Sequence, residues 1–349
     1  MMSLDNNIIP PSTTGREALI QLDRAIVEFK TLFIVDDNGI LQGTLTDGDI
    51  RRGLIAGKDI DTSVENFMFR NFRFLYEGQS SLENIAMLRK SKIALVPIVD
   101  ENKKLIKIID LASKKSLLPV DAVIMAGGRG ERLRPLTDSI PKPLLKVGLK
   151  PIIEHNIDRL IYFGIENITI SIKYLGEQLI EAFGNGQAKG ANIRYIAEKE
   201  ALGTLGAISL IEDFQSKHVL IMNSDLLTNI DFEDFFQSYL DRNADIAIAT
   251  VPYQVNIPYA VLEVEDSKIR DFKEKPSYTY YSNAGIYLVK REILKLIPKG
   301  VFYNATDLME LLIKNNQNVI SYPILGYWLD IGKQEDYLKA QEDIKHINW

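Results

Sequence analysis

Cysteine is absent from this chain of 349 residues, which excludes disulfide bonds, thiolate catalysis and cysteine-ligated zinc. Histidine is scarce, and His155, His218 and His346 are too scattered along the sequence to suggest a metal cluster. No apolar run approaches the about 20 residues that a membrane-spanning helix needs. The chain starts with a polar segment, so we expect a cytoplasmic protein that has no membrane partner.

An excess of positive charge is also lacking. The formal net charge is −6, which argues against non-specific nucleic-acid binding because that function needs a basic surface. Hydrophobic residues make up 46% of the chain and charged residues 25%, as in ordinary soluble globular proteins. The length favours two or three domains.

A change of pattern near residues 112–120 marks a domain boundary. The segment ASKKSLLPV is typical of a linker, so we place one domain at 1–118 and a second at 119–349. After the linker, strand patterns at 121–126, 167–172, 218–223 and 244–251 alternate with helical patterns such as 151–162 and 203–211. This alternation predicts an α/β domain with a mostly parallel sheet.

The segment Val123 to Leu145 has the composition of an anion-binding loop. It contains three glycines in four positions, then Arg132 and Arg134, then Lys142 between two prolines. Glycine lets backbone N–H groups approach an anion closely, and Arg132 and Lys142 add fixed positive charge. The combination suits a triphosphate, although it matches neither the P-loop nor G-x-G-x-x-G.

The run GGRGERLRPLT followed by PKP resembles the opening motif of the sugar-1-phosphate nucleotidyltransferases. The resemblance implies an enzyme that joins a nucleoside triphosphate to a sugar 1-phosphate and releases pyrophosphate. It implies a Rossmann-like, GT-A-like mixed sheet with helices on both faces. By the same resemblance, Ala126, Gly127, Gly128 and Gly130 would bind the nucleotide together with the catalytic residues Arg132 and Lys142.

Two aspartates resemble the metal ligands of this family. Asp225 follows the strand pattern HVLIMN, and Asp330 lies in WLDIG, which resembles the family segment W-x-D-I-G. The resemblance implies that both bind Mg²⁺, which prefers hard oxygen ligands, and that Asp225 is catalytic. The family has proline where this chain has Lys333, a difference outside the ligand set.

Further segments resemble the binding sites for the base and the sugar. The implied nucleotide-binding residues are Glu198, Gly203 and Thr204, and the implied sugar-binding residues are Glu274 and Asn283, with Lys275 facing the sugar phosphate. Leu205 replaces the usual alanine of LGTAGA, which could change the floor of the base pocket.

The nucleobase and the sugar stay open at the level of sequence. Motif spacing and the N-terminal region resemble bacterial guanylyltransferases that act on mannose 1-phosphate or similar sugars for surface glycans or nonulosonic acids. GTP is therefore the favoured nucleotide, while thymidylyl or uridylyl transfer is the alternative. A non-catalytic nucleotide sensor is the alternative from another functional class. The C-terminus has no hexapeptide repeat and is predicted to form one helix over EDYLKAQEDIKHINW, which argues against an appended acyltransferase domain.

The N-terminal domain contains an internal repeat. The segment at 33–49 aligns with 97–113, 64 residues further on, and helical stretches precede both copies, at 15–29 and 81–91. This arrangement resembles a smaller α+β tandem pair of CBS domains. In such domains, residues equivalent to Thr46 and Asp49 hold an adenosine nucleotide. The alternative is that Thr46 and Asp49 cap a helix that begins near Ile50, in a pair that serves homodimerisation.

Overall fold

The computed structural model describes residues 7–24, 30–78 and 82–347. The chain separates into two compact units. The first consists of Met1–Pro119 with Tyr162–Gly164, and the second of Val120–Ile161 with Ile165–Trp349. The sequence predicted the boundary after residue 118, one residue before the boundary in the structure. Nothing in the sequence indicated that Tyr162–Gly164 belongs to the first unit.

The N-terminal unit contains two small sheets with the same topology. Each sheet has three strands, in the orders β1-β2-β3 and β4-β5-β6, with a parallel first pair and an antiparallel second pair. The elements of the first repeat are β1 (Ile8–Ile9), α1 (Gly15–Arg24), β2 (Thr31–Val35), β3 (Leu41–Thr46) and α2 (Asp47–Ile55). Those of the second are β4 (Leu75–Tyr76), α3 (Leu82–Lys90), β5 (Leu95–Val99) and β6 (Leu105–Asp110).

The two copies agree at the level of single residues. The register shifts between Ile34 and Val35 in the first sheet and between Ile98 and Val99 in the second, at the 64-residue offset of the sequence repeat. The turn after each bulge is also the same, because Asp36 accepts from the N–H of Asn38 as Asp100 does from Asn102. A cluster that includes Phe33 and Leu95 contains buried side chains of both copies.

The helices of this unit differ in part from the sequence expectation. Helix α1 ends at Arg24, and residues 25–29 of the expected helix lie outside the described residues. Helix α2 begins at Asp47 rather than near Ile50, because Thr46 and Asp49 form a capping box at its N-terminus. The second copy has no counterpart of α2, since the described residues 111–119 are not helical.

The C-terminal unit is built around a seven-stranded sheet. Its first half contains β7 (Val120–Ala126), β8 (Lys146–Val147), β9 (Lys150–Pro151), α4 (Ile152–Tyr162), β10 (Asn167–Ile172), α5 (Gly176–Phe183), β11 (Asn192–Ala197), β12 (His218–Asn223), β13 (Leu226–Thr228) and α6 (Phe232–Asp241). Its second half contains β14 (Ile246–Asn256), β15 (Val261–Glu265), β16 (Lys268–Lys273), β17 (Ser277–Lys290), α7 (Ala305–Lys314), β18 (Val319–Pro323), β19 (Trp328–Asp330) and α8 (Gln334–Asp343).

The strand order of the large sheet is β11-β10-β7-β12-β17-β14-β18. Strand β17 is antiparallel to both neighbours, while the other pairs are parallel. Strand β7 lies in the middle third of the sheet and is almost entirely buried, as its continuous apolar sequence indicates. The mixed sheet with alternating helices confirms the predicted α/β fold class.

Two of the expected helices are shorter in the structure. The helical pattern at 203–211 forms only a 3-10 helix, Gly206–Leu210, because Gly203 has a left-handed backbone with φ of 77°. Helix α8 ends at Asp343, and the bonds from Lys345 N to Glu342 O and from His346 N to Asp343 O tighten the chain into a turn.

Strands β14 and β17 continue beyond the central sheet as a projecting ladder, which leads into the small β15–β16 sheet. The expected strand at 244–251 is thus longer in the structure and reaches Asn256. We call residues 251–283 the arm. The structure describes every one of these residues, and none of them is buried. Within the described ranges, no helix combines the length and apolar character needed to cross a membrane.

Candidate active site

The glycine-rich loop and Asp225 leave the central sheet at the same edge. Strands β7 and β12 are parallel neighbours with Met125 opposite Asn223, and the N–H of Ser224 donates to the carbonyl of Met125. The loop that follows Ala126 and the turn that holds Asp225 therefore start side by side. Ligands of open α/β sheets bind at this carboxyl edge.

At two glycines of the loop, neighbouring side chains lie too close for a Cβ atom to fit. A Cβ atom on Gly127 would lie 2.6 Å from Oε1 of Glu198. Gly130 has φ of 63°, and a Cβ there would lie 2.9 Å from the Cβ of Lys142. Side chains at these positions would displace Glu198 or Lys142. Gly128 has open space around it instead.

Glu198 is fixed beside the loop by its own hydrogen bonds. Its Oε2 accepts from the N–H of Leu202 at 3.0 Å, and its Oε1 accepts from the hydroxyl of Ser171. Thr204 accepts from the N–H of Ala305 at 2.8 Å, which joins this segment to the start of α7. Glu198 and Thr204 therefore have defined positions in the ligand-free chain.

Asp225 and Asp330 are brought together by the short antiparallel strands β13 and β19. Leu226 of β13 is opposite Asp330 of β19, and the N–H of Ile331 donates to the carbonyl of Asp225 at 3.1 Å. The ammonium group of Lys142, whose side chain is 11% exposed, donates to Oδ2 of Asp225. The first and last motifs of the domain thus meet at one place.

This pair of aspartates fits a metal ion. Oδ1 of Asp225 and Oδ1 of Asp330 are both buried and have no hydrogen-bond partner among the described residues. Burial raises the pKa of Asp330, the negative charge of Asp225 raises it further, and Lys142 and Arg132 oppose the shift. Within the described ranges no group of three or more His, Cys, Asp or Glu side chains could hold a metal ion, so other ligands would come from phosphate and water.

Arg132 lies next to the same aspartates. A Cβ on Gly332 would be 3.3 Å from its Nη2, so the guanidinium packs against the backbone that follows Asp330. Arg132 is part of the 3-10 helix Glu131–Leu133, which begins directly after the glycine loop. Two cations, from Arg132 and Lys142, therefore border the two carboxylates.

A cavity of about 650 Å³ connects these groups, a volume within the usual range for ligand sites. Nine of the residues expected from the sequence line it: Gly127, Gly128, Gly130, Arg132, Lys142, Glu198, Gly203, Thr204 and Asp225. Ala126 is buried at the end of β7, and Asp330 is opposite Leu226, the residue that follows Asp225.

The three residues expected to bind the sugar lie on the arm. Glu274 and Lys275 are exposed between β16 and β17, and Asn283 is at the base of the arm, where its amide donates to the hydroxyl of Tyr287 at 2.8 Å. None of the three is among the described residues that line the cavity. The cavity lining therefore includes most of the residues expected to bind the nucleotide and none of the three expected to bind the sugar.

Several cavity residues were not predicted as site residues from the sequence. Arg129, Lys173, Asn223 and Asn304 line the cavity as well. Lys173 comes directly after β10, so its position at the carboxyl end of a parallel strand could have identified it. Asn304 could not have been found this way, because it precedes α7 and reaches the cavity only through tertiary packing.

The two departures from the family pattern lie away from the cavity lining. Leu205 is buried in the main apolar cluster with Val123 and Ile221, so the expected change to the base pocket is not seen. Lys333 caps α8, and its ammonium group pairs with Glu335 at 2.6 Å. Leu205 is thus accommodated by packing in the apolar cluster, and Lys333 by an ion pair exposed to solvent.

The N-terminal unit has a second cavity, of about 800 Å³. Thr31, Thr44 and Thr46 of the first repeat line it, together with residues 92–95 of the second repeat. Asp49 uses both carboxylate oxygens within the protein, because Oδ2 accepts from Thr46 and Oδ1 accepts from Arg52 at 2.6 Å. The capping role of these residues is therefore visible in the ligand-free chain.

A family model described as nucleotidyl transferase matches residues 121–347. The chain belongs to the nucleotidyl transferase family. A model of the CBS domain matches residues 1–56, which include the first repeat but not the second. The nucleotidyl transferase match spans the glycine loop, both aspartates and the arm, and the CBS match includes Thr46 and Asp49.

Named relatives of this nucleotidyl transferase include guanylyltransferases. A mannose-1-phosphate guanylyltransferase of Mycobacterium tuberculosis is 31% identical, with 64% of each chain covered. A D-glycero-alpha-D-manno-heptose 1-phosphate guanylyltransferase of Aneurinibacillus thermoaerophilus is 32% identical over 65% of this chain and 99% of its own length. Matches of similar identity also include a uridylyltransferase.

A solved structure has the same fold. HddC of Yersinia pseudotuberculosis complexed with GMP-PN is 26% identical, with a TM-score of 0.50, and the match covers 64% of this chain and 99% of HddC.

Proposed function

We propose that the C-terminal unit transfers a nucleotidyl group from a nucleoside triphosphate, with GTP favoured, to a sugar 1-phosphate and releases pyrophosphate. The observation that carries this proposal is the meeting of the glycine loop, Arg132, Lys142 and Asp225 in one cavity. The guanylyltransferases among the relatives support GTP, and they support a manno-configured sugar phosphate as substrate.

The glycine loop and Arg132 hold the triphosphate in this proposal. The loop from Gly127 to Gly130 lines the cavity, so its backbone N–H groups would bind phosphate oxygens, and Arg132 adds a fixed positive charge. Lys173 and Arg129 lie at the same cavity and offset the remaining negative charge. These groups orient the triphosphate and stabilise the pyrophosphate as it leaves.

A phosphate oxygen of the sugar 1-phosphate attacks the α-phosphorus, and the bond from that phosphorus to the pyrophosphate oxygen breaks. The attacking oxygen is already anionic at neutral pH, so the chain needs no general base. Catalysis then consists of positioning and charge neutralisation. Lys142, held between Asp225 and the loop, is placed to neutralise charge that develops at the α-phosphate.

Asp225 and Asp330 would hold Mg²⁺, which supplies positive charge next to the phosphate oxygens when bound. The partnerless oxygens of the two carboxylates are the atoms available for this. Glu198 and Thr204, with Gly203, form the region where the base binds, and their hydrogen bonds keep it in place before the nucleotide arrives. Glu274, Lys275 and Asn283 bind the sugar and its phosphate.

Pyrophosphate release tests this function directly. The full chain is assayed with each of the four common nucleoside triphosphates against a panel of sugar 1-phosphates in the presence of Mg²⁺. We expect release with GTP and a mannose-type sugar phosphate, and loss of it in Asp225→Ala. Asp241→Ala, which removes an exposed carboxylate at the end of α6, is the matched control and keeps activity. Absence of release with every pair would favour a nucleotide sensor.

For the N-terminal unit we propose an adenosine nucleotide in the cavity beside Thr46, in a tandem CBS pair of which residues 57–118 form the second half. AMP, ATP and S-adenosylmethionine are titrated into the full chain by calorimetry. We expect one site, weakened in Thr46→Ala but not in Ser63→Ala, which changes another helix cap outside the cavity. If none of the three binds, the unit serves dimerisation instead.

A further inference from the structure

Arg129 of the glycine loop is held by an aromatic ring. Its guanidinium lies over the ring of Tyr174, 5.9 Å from the ring centroid, and it makes no ion pair within the described ranges. Arg134, by contrast, pairs with Asp138 at 3.3 Å. An aromatic ring attracts a cation without neutralising its charge. The charge of Arg129 is therefore available to an anion in the cavity that this residue lines.

Tyr174 is itself fixed by hydrogen bonds. Its hydroxyl lies 3.2 Å from the carbonyl oxygen of Thr137 and 3.0 Å from that of Asp138, so it donates to this segment. The amide of Gln178, in the same turn and helix as Tyr174, donates to the carbonyl of Ser139 at 2.9 Å. The tyrosine ring therefore has a defined position in the ligand-free chain.

The segment that holds Tyr174 also contacts the glycine loop. The hydroxyl of Thr137, which is buried, donates to the carbonyl of Gly130 at 2.9 Å. A Cβ atom on Gly130 would lie 3.1 Å from Cγ2 of Thr137, so the two residues are in close contact. We call the resulting closed set of contacts the clamp: Arg129, Gly130, Thr137 and Tyr174. An arginine that is ordered before its ligand arrives loses less entropy on binding.

The turn that carries Tyr174 has an unfavourable backbone. Leu175 adopts a left-handed conformation with φ of 51°, which is uncommon for a residue with a Cβ atom. Such conformations cluster at functional sites. Lys173, directly before Tyr174, lines the same cavity as Arg129 and makes no ion pair in the part of the chain that the structure describes. The turn thus provides one cation to the cavity and fixes a second.

Charged residues line the cavity on both sides of β7. Lys142 pairs with Asp225, which follows β12, whereas Lys173 follows β10, and these two strands are the neighbours of β7 in the sheet. In the proposed reaction the α-phosphate lies beside Asp225, so the remaining phosphates need a second binding group. The nucleobase carries no charge. Cations without a carboxylate partner therefore suit the terminal phosphates rather than the base.

We propose that Arg129, with Lys173, binds the β- and γ-phosphates of the nucleotide, and that Tyr174 is the positioning residue for Arg129. The proposal rests on the function proposed above, because it concerns the phosphates of the same substrate. It makes the clamp the part of the site that distinguishes a nucleoside triphosphate from a monophosphate. The same groups hold pyrophosphate before it leaves.

Binding measurements test the role of Arg129 without turnover. GTP, GMP and inorganic pyrophosphate are titrated separately into the full chain by calorimetry in the presence of Mg²⁺. Arg129→Gln should weaken the binding of GTP and pyrophosphate by about tenfold, as for loss of one charged hydrogen bond, and leave GMP unchanged. The matched control is Arg134→Gln, which removes the arginine that pairs with Asp138 and should change none of the three affinities.

Three outcomes would overturn the role of Arg129: no pyrophosphate binding by the wild type, unchanged affinities in Arg129→Gln, or equal losses for GTP and GMP. The binding data also separate this proposal from the proposed function. Pyrophosphate binding that depends on Arg129, without pyrophosphate release in the activity assay, would keep the phosphate site and reject the transfer reaction. Release in that assay with unchanged binding by Arg129→Gln would do the reverse.

A double-mutant cycle in pyrophosphate affinity tests the positioning role of Tyr174. Tyr174→Leu should weaken binding by about threefold, the range for one cation–π contact, and Tyr174→Phe, which keeps the ring, should lose less. Arg129→Gln with Tyr174→Leu should bind like Arg129→Gln alone, because the ring acts through the guanidinium. Losses that multiply would show that Tyr174 is only structural. If Tyr174→Leu does not fold, Tyr174→Met takes its place in the cycle, because a flexible methionine fills irregular space.

Discussion

Asp330 has an unfavourable position in the ligand-free protein. Its carboxylate is half-buried beside Asp225, and one oxygen of each residue has no hydrogen-bond partner in the part of the chain that the structure describes. The raised pKa of Asp330 reflects this unfavourable placement. A residue that is kept at the expense of stability is typical of a functional site.

Asp330→Asn should therefore stabilise the metal-free protein and reduce its turnover. The amide removes one of two neighbouring negative charges, so we expect a higher Tm in buffer with chelator, and activity lower by about 100-fold, as for loss of a charge-stabilising group. Asp241→Asn, an exposed carboxylate, should change neither property. A lower Tm together with normal turnover would show that Asp330 is structural.

Gly127 and Gly128 should respond differently to the same substitution. A methyl group at Gly127 would overlap Oε1 of Glu198, whereas at Gly128 it would meet no atom within 4 Å. We expect Gly127→Ala to lower the free energy of unfolding by about 1–3 kcal/mol, the range for overpacking. Gly128→Ala should leave it nearly unchanged. Urea unfolding without nucleotide measures both, and equal effects would contradict the assigned position of Glu198.

Among secondary-structure elements, β12 and α6 meet at His218. Its Nδ1 lies 3.1 Å from the hydroxyl of Tyr239, and the rings of Phe236 and Tyr239 pack against its own. Burial lowers the pKa of His218, and Lys217 and Lys290 lower it further against the opposing charge of Glu292. The folded chain thus disfavours the protonated ring.

Stability should consequently decrease as the medium becomes acidic. The unfolded chain binds the proton near the ordinary histidine pKa of 6.5, and the pKa of the folded chain is lower. The contribution of the neutral ring to the free energy of unfolding is therefore complete above pH 6.5 and is lost as the pH falls below 6.5. Urea unfolding between about pH 7.5 and about pH 5.5 should show a weaker decrease in His218→Gln than in wild type. Lys217→Gln keeps the buried ring, whose burial is the largest cause of the shift, and should retain most of the decrease. Identical slopes for His218→Gln and wild type would refute this assignment.

The same elements show what a sequence can predict. The apolar runs of β7, β10 and β12 specify buried strands by themselves, and residues that follow these strands line the cavity. The length of β14 and the short 3-10 helix at Gly206–Leu210 could not be predicted. Strand propensity is similar inside and outside a packed sheet, so only tertiary neighbours decide where such a strand stops.

For the molecule as a whole, two units with separate cores predict separate responses to ligands. The apolar clusters of the first unit contain residues such as Ile34 and Leu95, and those of the second contain residues such as Val123 and Leu308. The nine expected residues that line the cavity of the second unit could be grouped from the sequence because each lies in a short local motif. The position of the arm depends on contacts that no local motif encodes.

Hydrogen exchange of the full chain should resolve the two responses. GTP with Mg²⁺ should slow exchange of backbone amides at 127–132 and 198–205, because these segments border the cavity. An adenosine nucleotide should instead slow exchange around Thr44 and Thr46. GTP without Mg²⁺ serves as the control and should protect the first set less. Protection of only the N-terminal unit by GTP would contradict the assignment of the cavities.

The unequal ends of the two repeats give the N-terminal cavity a polarity. Strand β3 leads into α2, whose first N–H groups carry a partial positive charge, whereas β6 is followed by no helix in the described residues 111–119. A pseudo-symmetric pocket would accept a nucleotide in two opposite orientations. With a single positive terminus, this pocket would distinguish the two ends of a nucleotide, and we expect one ligand per chain.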